Sequence, residues 1–168
     1  MELEEAILAG KVLVYPTDTI YGIGCDATNV KSVERIREIK RRDIKPFSVI
    51  APSFDWIEDN FIVDFNIKEF LPGAYTLLLK KKEIHFLKHV SENDRVGVRI
   101  PNHDFCFSIQ KVGVPFVTTS VNLSGEPFAK SISDIKKEIL DLVDEFFDAG
   151  ELNGNPSTLI IDGKEIKR

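Results

Sequence analysis

Tyr15-Pro16-Thr17-Asp18-Thr19-Ile20-Tyr21-Gly22-Ile23-Gly24-Cys25-Asp26-Ala27 leaves the end of an apolar run and passes through two threonines, an acid and two glycines. Val12 to Tyr15 reads as a buried strand that Pro16 stops, because proline has no N–H to give to a ladder. Gly22-x-Gly24-x-x-Ala27 has the outline of a dinucleotide fingerprint, but a fingerprint joins a strand to a helix N-terminus. Here Tyr21 to Cys25 itself reads as extended, and the next strand, Phe47 to Ala51, ends in Ala-Pro with no acid for a ribose. Two readings of the stretch stay open. It is a strand turn eased by glycine, or a strand end whose hydroxyls and free backbone groups take a polar ligand. In both, strand follows strand, which argues against a doubly wound parallel sheet.

Outward from this stretch the elements are short and mixed in type. Residues 2–9 read as a helix with Leu3, Ala6 and Ile7 on one face and Gly10 at its end. Asn29 or Thr28 can cap a helix over 30–41 whose Val33, Ile36 and Ile39 or Lys40 share a face. Further helices are expected over 53–59, 64–71, 84–90 and 103–112. Ser133 is expected to cap an amphipathic helix with Ile135, Ile139 and Leu142 or Val143 inward. Strands are expected at Tyr75 to Lys80, Arg95 to Ile100, Pro115 to Val121, Thr158 to Asp162 and Glu165 to Arg168. Together they predict three layers around a mixed sheet. No linker or internal repeat divides the chain, so residues 1–168 are expected to form a single domain.

The length of 168 residues suits one such domain, which buries roughly 70% of its unfolded surface without disulfide or metal. With 43% apolar and 29% charged residues the chain is neither disordered nor membrane-spanning. The acidic start and only two cysteines, Cys25 and Cys106, point to a reducing cytoplasm rather than secretion. Lys and Arg number 22 against 27 Asp and Glu, a net charge of −5, which argues against coating nucleic acid by bulk charge. Yet Arg35, Arg37, Lys40, Arg41, Arg42 and Lys45 crowd one short segment. A local basic site in an acidic protein suits a small polyanion such as a nucleotide.

Lys40 and Arg42 stand two apart where a helix ends, either as a solvated basic terminus or as two cations aimed together at phosphates. Thr118-Thr119-Ser120-Val121-Asn122-Leu123-Ser124-Gly125 leaves another strand, and Ser120 and Asn122 would face one side. This is a plain turn, or a hydroxyl and carboxamide pair for phosphate or ribose oxygens. Arg99 within Val-Gly-Val-Arg-Ile-Pro must pair with a carboxylate or bind an anion, an amino-acid carboxylate being the sharper choice. His85 and His89, with no third ligand in view, do not make a metal site. Cys25 and Cys106 lack CxxC spacing and read as buried small hydrophobes. No nucleophile elbow and no Walker motif is present.

In this order, six stretches resemble the YrdC family of threonylcarbamoyl-AMP synthases. They are Tyr15 to Cys25, Lys40-x-Arg42, Pro72-Gly-Ala-Tyr-Thr-Leu-Leu-Leu79, Val96-Gly-Val-Arg99-Ile-Pro101, Thr118-Thr-Ser120-Val-Asn122-Leu-Ser-Gly125 and Asn155-Pro-Ser157-Thr-Leu-Ile-Ile-Asp162. The resemblance runs from about Leu8 to Arg168. It implies an α+β, YrdC-like three-layer fold with a twisted mixed parallel and antiparallel sheet and a basic concave cleft. The implied reaction makes threonylcarbamoyl-AMP and pyrophosphate from L-threonine, bicarbonate or carbon dioxide, and ATP with Mg²⁺. The implied partner is a tRNA-modifying transferase complex, with weak contact to tRNA or double-stranded RNA and none to a membrane.

By resemblance Thr19, Arg99, Thr118 and Ser157 hold threonine. Lys40, Arg42, Arg95, Ser120, Asn122 and Arg168 meet ATP, with Lys40 and Arg42 catalytic. No protein metal ligand is implied. Asp43, Lys45 and Phe128 depart from the family pattern. The alternative is a non-catalytic RNA- or nucleotide-binding protein of the YciO-like branch, which shares the Pro-Gly-x-Tyr-Thr stretch.

Overall fold

The computed structural model describes residues 2–41 and 45–167. Its elements follow in chain order as α1 (Leu3–Leu8), β1 (Leu13–Tyr15), β2 (Gly22–Gly24), α2 (Val30–Lys40), β3 (Ser48–Ile50), α3 (Phe54–Asn60), β4 (Phe61–Ile62), β5 (Tyr75–Lys81), β6 (Arg95–Arg99), α4 (Asp104–Gln110), β7 (Phe116–Ser120), α5 (Lys137–Leu140), β8 (Glu145–Phe146), β9 (Thr158–Ile161) and β10 (Lys164–Ile166). All ten strands join one sheet in the order β10-β9-β5-β6-β3-β7-β2-β1-β8, with β4 on β5. β1 with β8, β3 with β6 and β5 with β9 are parallel, and the other pairs are antiparallel. This is the expected α+β mixed sheet.

Strand alternation assigns the two faces. Val49, Leu77, Val98, Val117 and Ile160 point one way, into a core closed by Val33, Ile36 and Ile39 of α2 and Ile57 of α3. On the opposite face Leu13, Tyr15, Ile50 and Phe116 pack under Ile7 of α1 and Cys106 and Ile109 of α4. Those two short helices cover only part of that face. The uncovered part carries the site.

Local signals explain the elements that matter to it. Asn29 caps α2 by accepting the Ser32 N–H, which satisfies one of the orphan donors of a first turn. Gly22 and Gly24 lie in β2, between β1 and β7. A Cβ on Gly24 would stand 1.9 Å from the Val117 carbonyl oxygen and 2.6 Å from the Phe116 ring. That glycine serves the sheet, not a dinucleotide.

Three helix expectations are corrected. Residues 84–90 form turns, and 64–71 hold only a 3-10 turn at Ile67–Glu69. The amphipathic segment after residue 130 is broken as well. Ser131 and Asp134, rather than Ser133, make a capping box on a 3-10 turn at Ile132–Asp134, and Ile135 is then extended. The Asp134 carboxylate accepts from the N–H groups of Lys130 and Ser131, a local alternative to helix bonding. Beyond α5, Asp144 N–H bonds to the Val12 carbonyl and draws the chain into β8.

Candidate functional site

The uncovered end of the sheet is a hollow with a hydroxyl-rich floor. Ser48, Thr76, Leu78, Arg99, Thr118 and Ser120 line it from four adjacent strands. The ladder registers Ser48 with Gly97 and with Thr118, and Leu78 with Gly97, so these residues share one face. A Cβ on Gly97 would stand 2.3 Å from Ser48 Oγ and 2.9 Å from Thr76 Cγ2, so glycine keeps the floor flat there. Thr17 and Thr19 form one wall, after β1, and Pro156 and Ser157 form another, before β9. Ser157 Oγ and Thr76 Oγ1 are 2.6 Å apart.

Arg99 pairs with a carboxylate, which decides between its two readings. Its Nη2 donates to Asp18 Oδ1 at 2.7 Å, with the side chains 7% and 12% exposed. Nε donates to the Tyr75 carbonyl, Nη1 to Thr19 Oγ1 and Nη2 also to the Gly73 carbonyl. Of the five guanidinium hydrogens, one on Nη1 stays uncommitted among the described residues. Arg99 therefore offers a ligand one hydrogen bond, not a bidentate fork.

Lys40 is 2% exposed, although it lies in the basic segment. Its Nζ donates to the Ser120 carbonyl, to the Asn122 carbonyl at 3.0 Å and to Asn122 Oδ1 at 3.1 Å. Ser120 Oγ donates to the same Oδ1 at 2.6 Å, and Asn122 Nδ2 to the Glu126 carbonyl at 2.6 Å. The two sequence pairs thus meet as one knot, with Lys40 gripping the turn after β7.

Arg95 lies four residues before Arg99 on the same face of β6. It lines a second hollow with Asn93, Asp94 and Gly97, and Pro46, Phe47, Ser48 and Leu78 border both hollows. Arg95 donates to the Leu78 carbonyl at 2.9 Å and to Asp162 Oδ1 at 3.3 Å. Arg42, Asp43 and Arg168 lie outside the described residues. Lys45 is exposed, and its carbonyl accepts from Arg37. Phe128, 47% exposed, stands at the lip of the first hollow.

The remaining chemistry-bearing groups lie apart from the hollow. Cys25 and Cys106 are buried, and burial pushes both thiols up, Cys106 to about 12. His89 Nε2 sits 2.5 Å from the Ala27 carbonyl oxygen. Among the described residues no three His, Cys, Asp or Glu side chains gather closely enough to hold a metal ion. No helix among them is long and apolar enough to cross a membrane.

Thr17 and Asp18 belong to the site and lie in the stretch whose two threonines and acid read as suiting a polar ligand, without a role of their own, while Ser48 and Thr76 are not singled out by the sequence. Alternation along β5 puts Thr76 on the face of Leu78, and alternation along β6 puts Arg95 on the face of Arg99. Those two were legible once the strands were drawn. The partners of Asp18 were not.

The family model Sua5_yciO_yrdC, described as telomere recombination, matches residues 5–167. A protein of Methanocaldococcus jannaschii, provisionally named a threonylcarbamoyl-AMP synthase, is 37% identical over 94% of this chain and 77% of its own length. The threonylcarbamoyl-AMP synthase of Xanthomonas axonopodis pv. citri is 32% identical over 88% of this chain and 86% of its own length. Among solved structures, Pyrococcus abyssi Sua5 complexed with L-threonine superposes with a TM-score of 0.84 at 29% identity, over 96% of this chain. This chain spans 50% of the length of that protein.

Proposed function

The chain belongs to the Sua5–YciO–YrdC family, and we propose that it is an L-threonylcarbamoyladenylate synthase. The reaction joins L-threonine, bicarbonate and ATP into threonylcarbamoyl-AMP, with loss of pyrophosphate and water. It is a nucleotidyl transfer. The amine takes up carbon dioxide as a carbamate, a carbamate oxygen attacks the α-phosphorus, and pyrophosphate leaves. No covalent enzyme nucleophile is needed, so the protein contributes positioning and charge stabilisation.

One observation carries the reading: Arg95 and Arg99 mark two hollows that share the border Pro46, Phe47, Ser48 and Leu78. Two reactants of different size can meet across that border. In the first hollow, Thr19, Arg99, Thr118 and Ser157 hold the amino acid. From the second, Arg95 meets the nucleotide, joined by Ser120 on the floor of the first, by Asn122 in the turn after β7 and, from outside the described residues, by Arg42 and Arg168. Lys40 acts through the turn it grips, and Arg42 bears on the phosphates directly. Mg²⁺ accompanies ATP; held by phosphate oxygens and water, it asks no cage of the protein. The product feeds a tRNA-modifying transferase in the cytoplasm.

Threonine-dependent pyrophosphate release from ATP and bicarbonate tests the reading. Release that requires all three substrates is expected. A folded protein that releases none, beside an active control enzyme, contradicts the proposal and favours a binding protein without chemistry. Arg42→Ala is expected to lower the rate about 10²-fold or more.

A further inference from the structure

The hydrogen bonds around Thr17 and Thr19 admit only one order of protons. Thr17 Oγ1 lies 2.7 Å from the Ile20 carbonyl oxygen. A carbonyl oxygen only accepts, so the single hydroxyl proton of Thr17 is spent there. The Thr19 N–H donates to Thr17 Oγ1 at 3.0 Å, and the two hydroxyl oxygens are 2.9 Å apart. Thr17 has no second proton, so Thr19 is the donor across that pair. Both lone pairs of Thr17 Oγ1 are then filled. Thr19 Oγ1 has given away its own proton and accepts from Arg99 Nη1 at 3.3 Å. Among the described residues, Thr19 Oγ1 keeps one lone pair and no proton. Both threonines line the hollow and are nearly inaccessible, at 3% and 2% exposure.

We infer that Thr17 is a positioning residue that fixes Thr19 Oγ1 as a pure acceptor for the amino group of the bound amino acid. The inference rests on the amino-acid-binding reading above and names which group of that ligand Thr19 takes. A carboxylate carries no hydrogen and is repelled by a lone pair. An amine or carbamate N–H is accepted by it. An N–H spent on Thr19 leaves the nitrogen's lone pair directed elsewhere. Asp18 completes the device. It holds Arg99 Nη2 at 2.7 Å and the Asn102 N–H at 2.9 Å, which keeps Nη1 on the other lone pair of Thr19.

The test compares two ligands that differ only at the amino group. L-Threonine and (R)-3-hydroxybutanoate, which has hydrogen in place of the amine, are titrated calorimetrically into the wild type, Thr17→Ser and Thr17→Val. The wild type is expected to prefer threonine by about 10-fold or more. Thr17→Ser keeps the hydroxyl and keeps that ratio. Thr17→Val keeps the shape but frees the Thr19 proton to meet a carboxylate, so the ratio falls at least about fivefold. A merely structural loss weakens both ligands alike and leaves the ratio unchanged. Should Thr17→Val not fold, Thr19→Val deletes the acceptor itself and must collapse the ratio too. A wild-type ratio in whichever of these valine variants folds overturns the inference. Failure of the wild type to bind threonine at all, seen before any variant is compared, instead sinks the amino-acid-binding reading and the inference with it.

Discussion

Arg99 and Asp18 form a buried ion pair, Nη2 to Oδ1 at 2.7 Å, between the end of β6 and the turn after β1. Removing one partner of such a pair costs more than removing both, because the survivor stays buried and uncompensated. Asp18→Ala is therefore expected to destabilise the protein by about 3–5 kcal/mol. At roughly 2–4 °C per kcal/mol for a domain of this size, the melting temperature falls by roughly 6–20 °C. Asp18→Ala with Arg99→Met should recover much of the loss. A thermal melt of Asp18→Ala that matches the wild type contradicts the pairing.

Lys40 bonds to the Ser120 carbonyl and to both oxygens of Asn122. Lys40→Ala leaves those acceptors without their donor and lets the turn after β7 move. Synthase activity is expected to drop about 10²-fold, a size typical of misplaced transition-state contacts. The loss should fall on kcat and on the KM for ATP, with the KM for threonine changed less. Wild-type turnover in this variant removes Lys40 from the account.

Asp144 binds Arg35 at 2.6 Å and accepts the buried Val12 N–H at 2.8 Å, tying β8 to α2 and β1. Partial burial raises its pKa, but the bonds from Arg35 and Val12 outweigh that and hold the carboxyl below the ordinary value of 3.8. The folded state thus binds this proton less readily than the unfolded chain. The stabilisation is complete above the ordinary value and is lost as pH falls below it through the folded value. Asp144→Asn should cost about 0.5–1 kcal/mol at neutral pH after solvent screening. Melts compared at pH 7 and below pH 3 should show the gap closing in acid, and a gap that widens there contradicts the assignment.

Cys25 and Cys106 are buried, with both thiols pushed up by desolvation. The thiolate is the reactive form. Alkylation of native protein at pH 8 is expected to run at least about 10²-fold slower than in denaturant. Rapid labelling of either cysteine in the native state contradicts its placement.

What the sequence disclosed follows the range of the forces involved. The cap at Asn29 and the burial of Val33, Ile36 and Ile39 are local and were readable. So was the alternation that puts Arg95 and Arg99 on one face of β6. β8 was not, because two residues, Glu145 and Phe146, owe their strand to pairing with Leu13 and Val14 at the far end of the chain. Helical spacing after residue 130 was real, but the bonds of Asp134 and the pull of β1 on residues 144–147 overrode it. The run of charge left Lys40 open as a solvated helix end or as one of two cations aimed at phosphates. Its burial depends on a turn 80 residues away, to which no spacing points. The proton order at Thr17 and Thr19 likewise needs distances.

The most direct measurement supplies ¹³C-bicarbonate with ATP and L-threonine and analyses the nucleotide products by mass spectrometry. The account predicts an adenylate of threonylcarbamoyl mass that carries the heavy carbon, and that vanishes when threonine is withheld. AMP alone, or an adenylate without the label from folded enzyme, would contradict it.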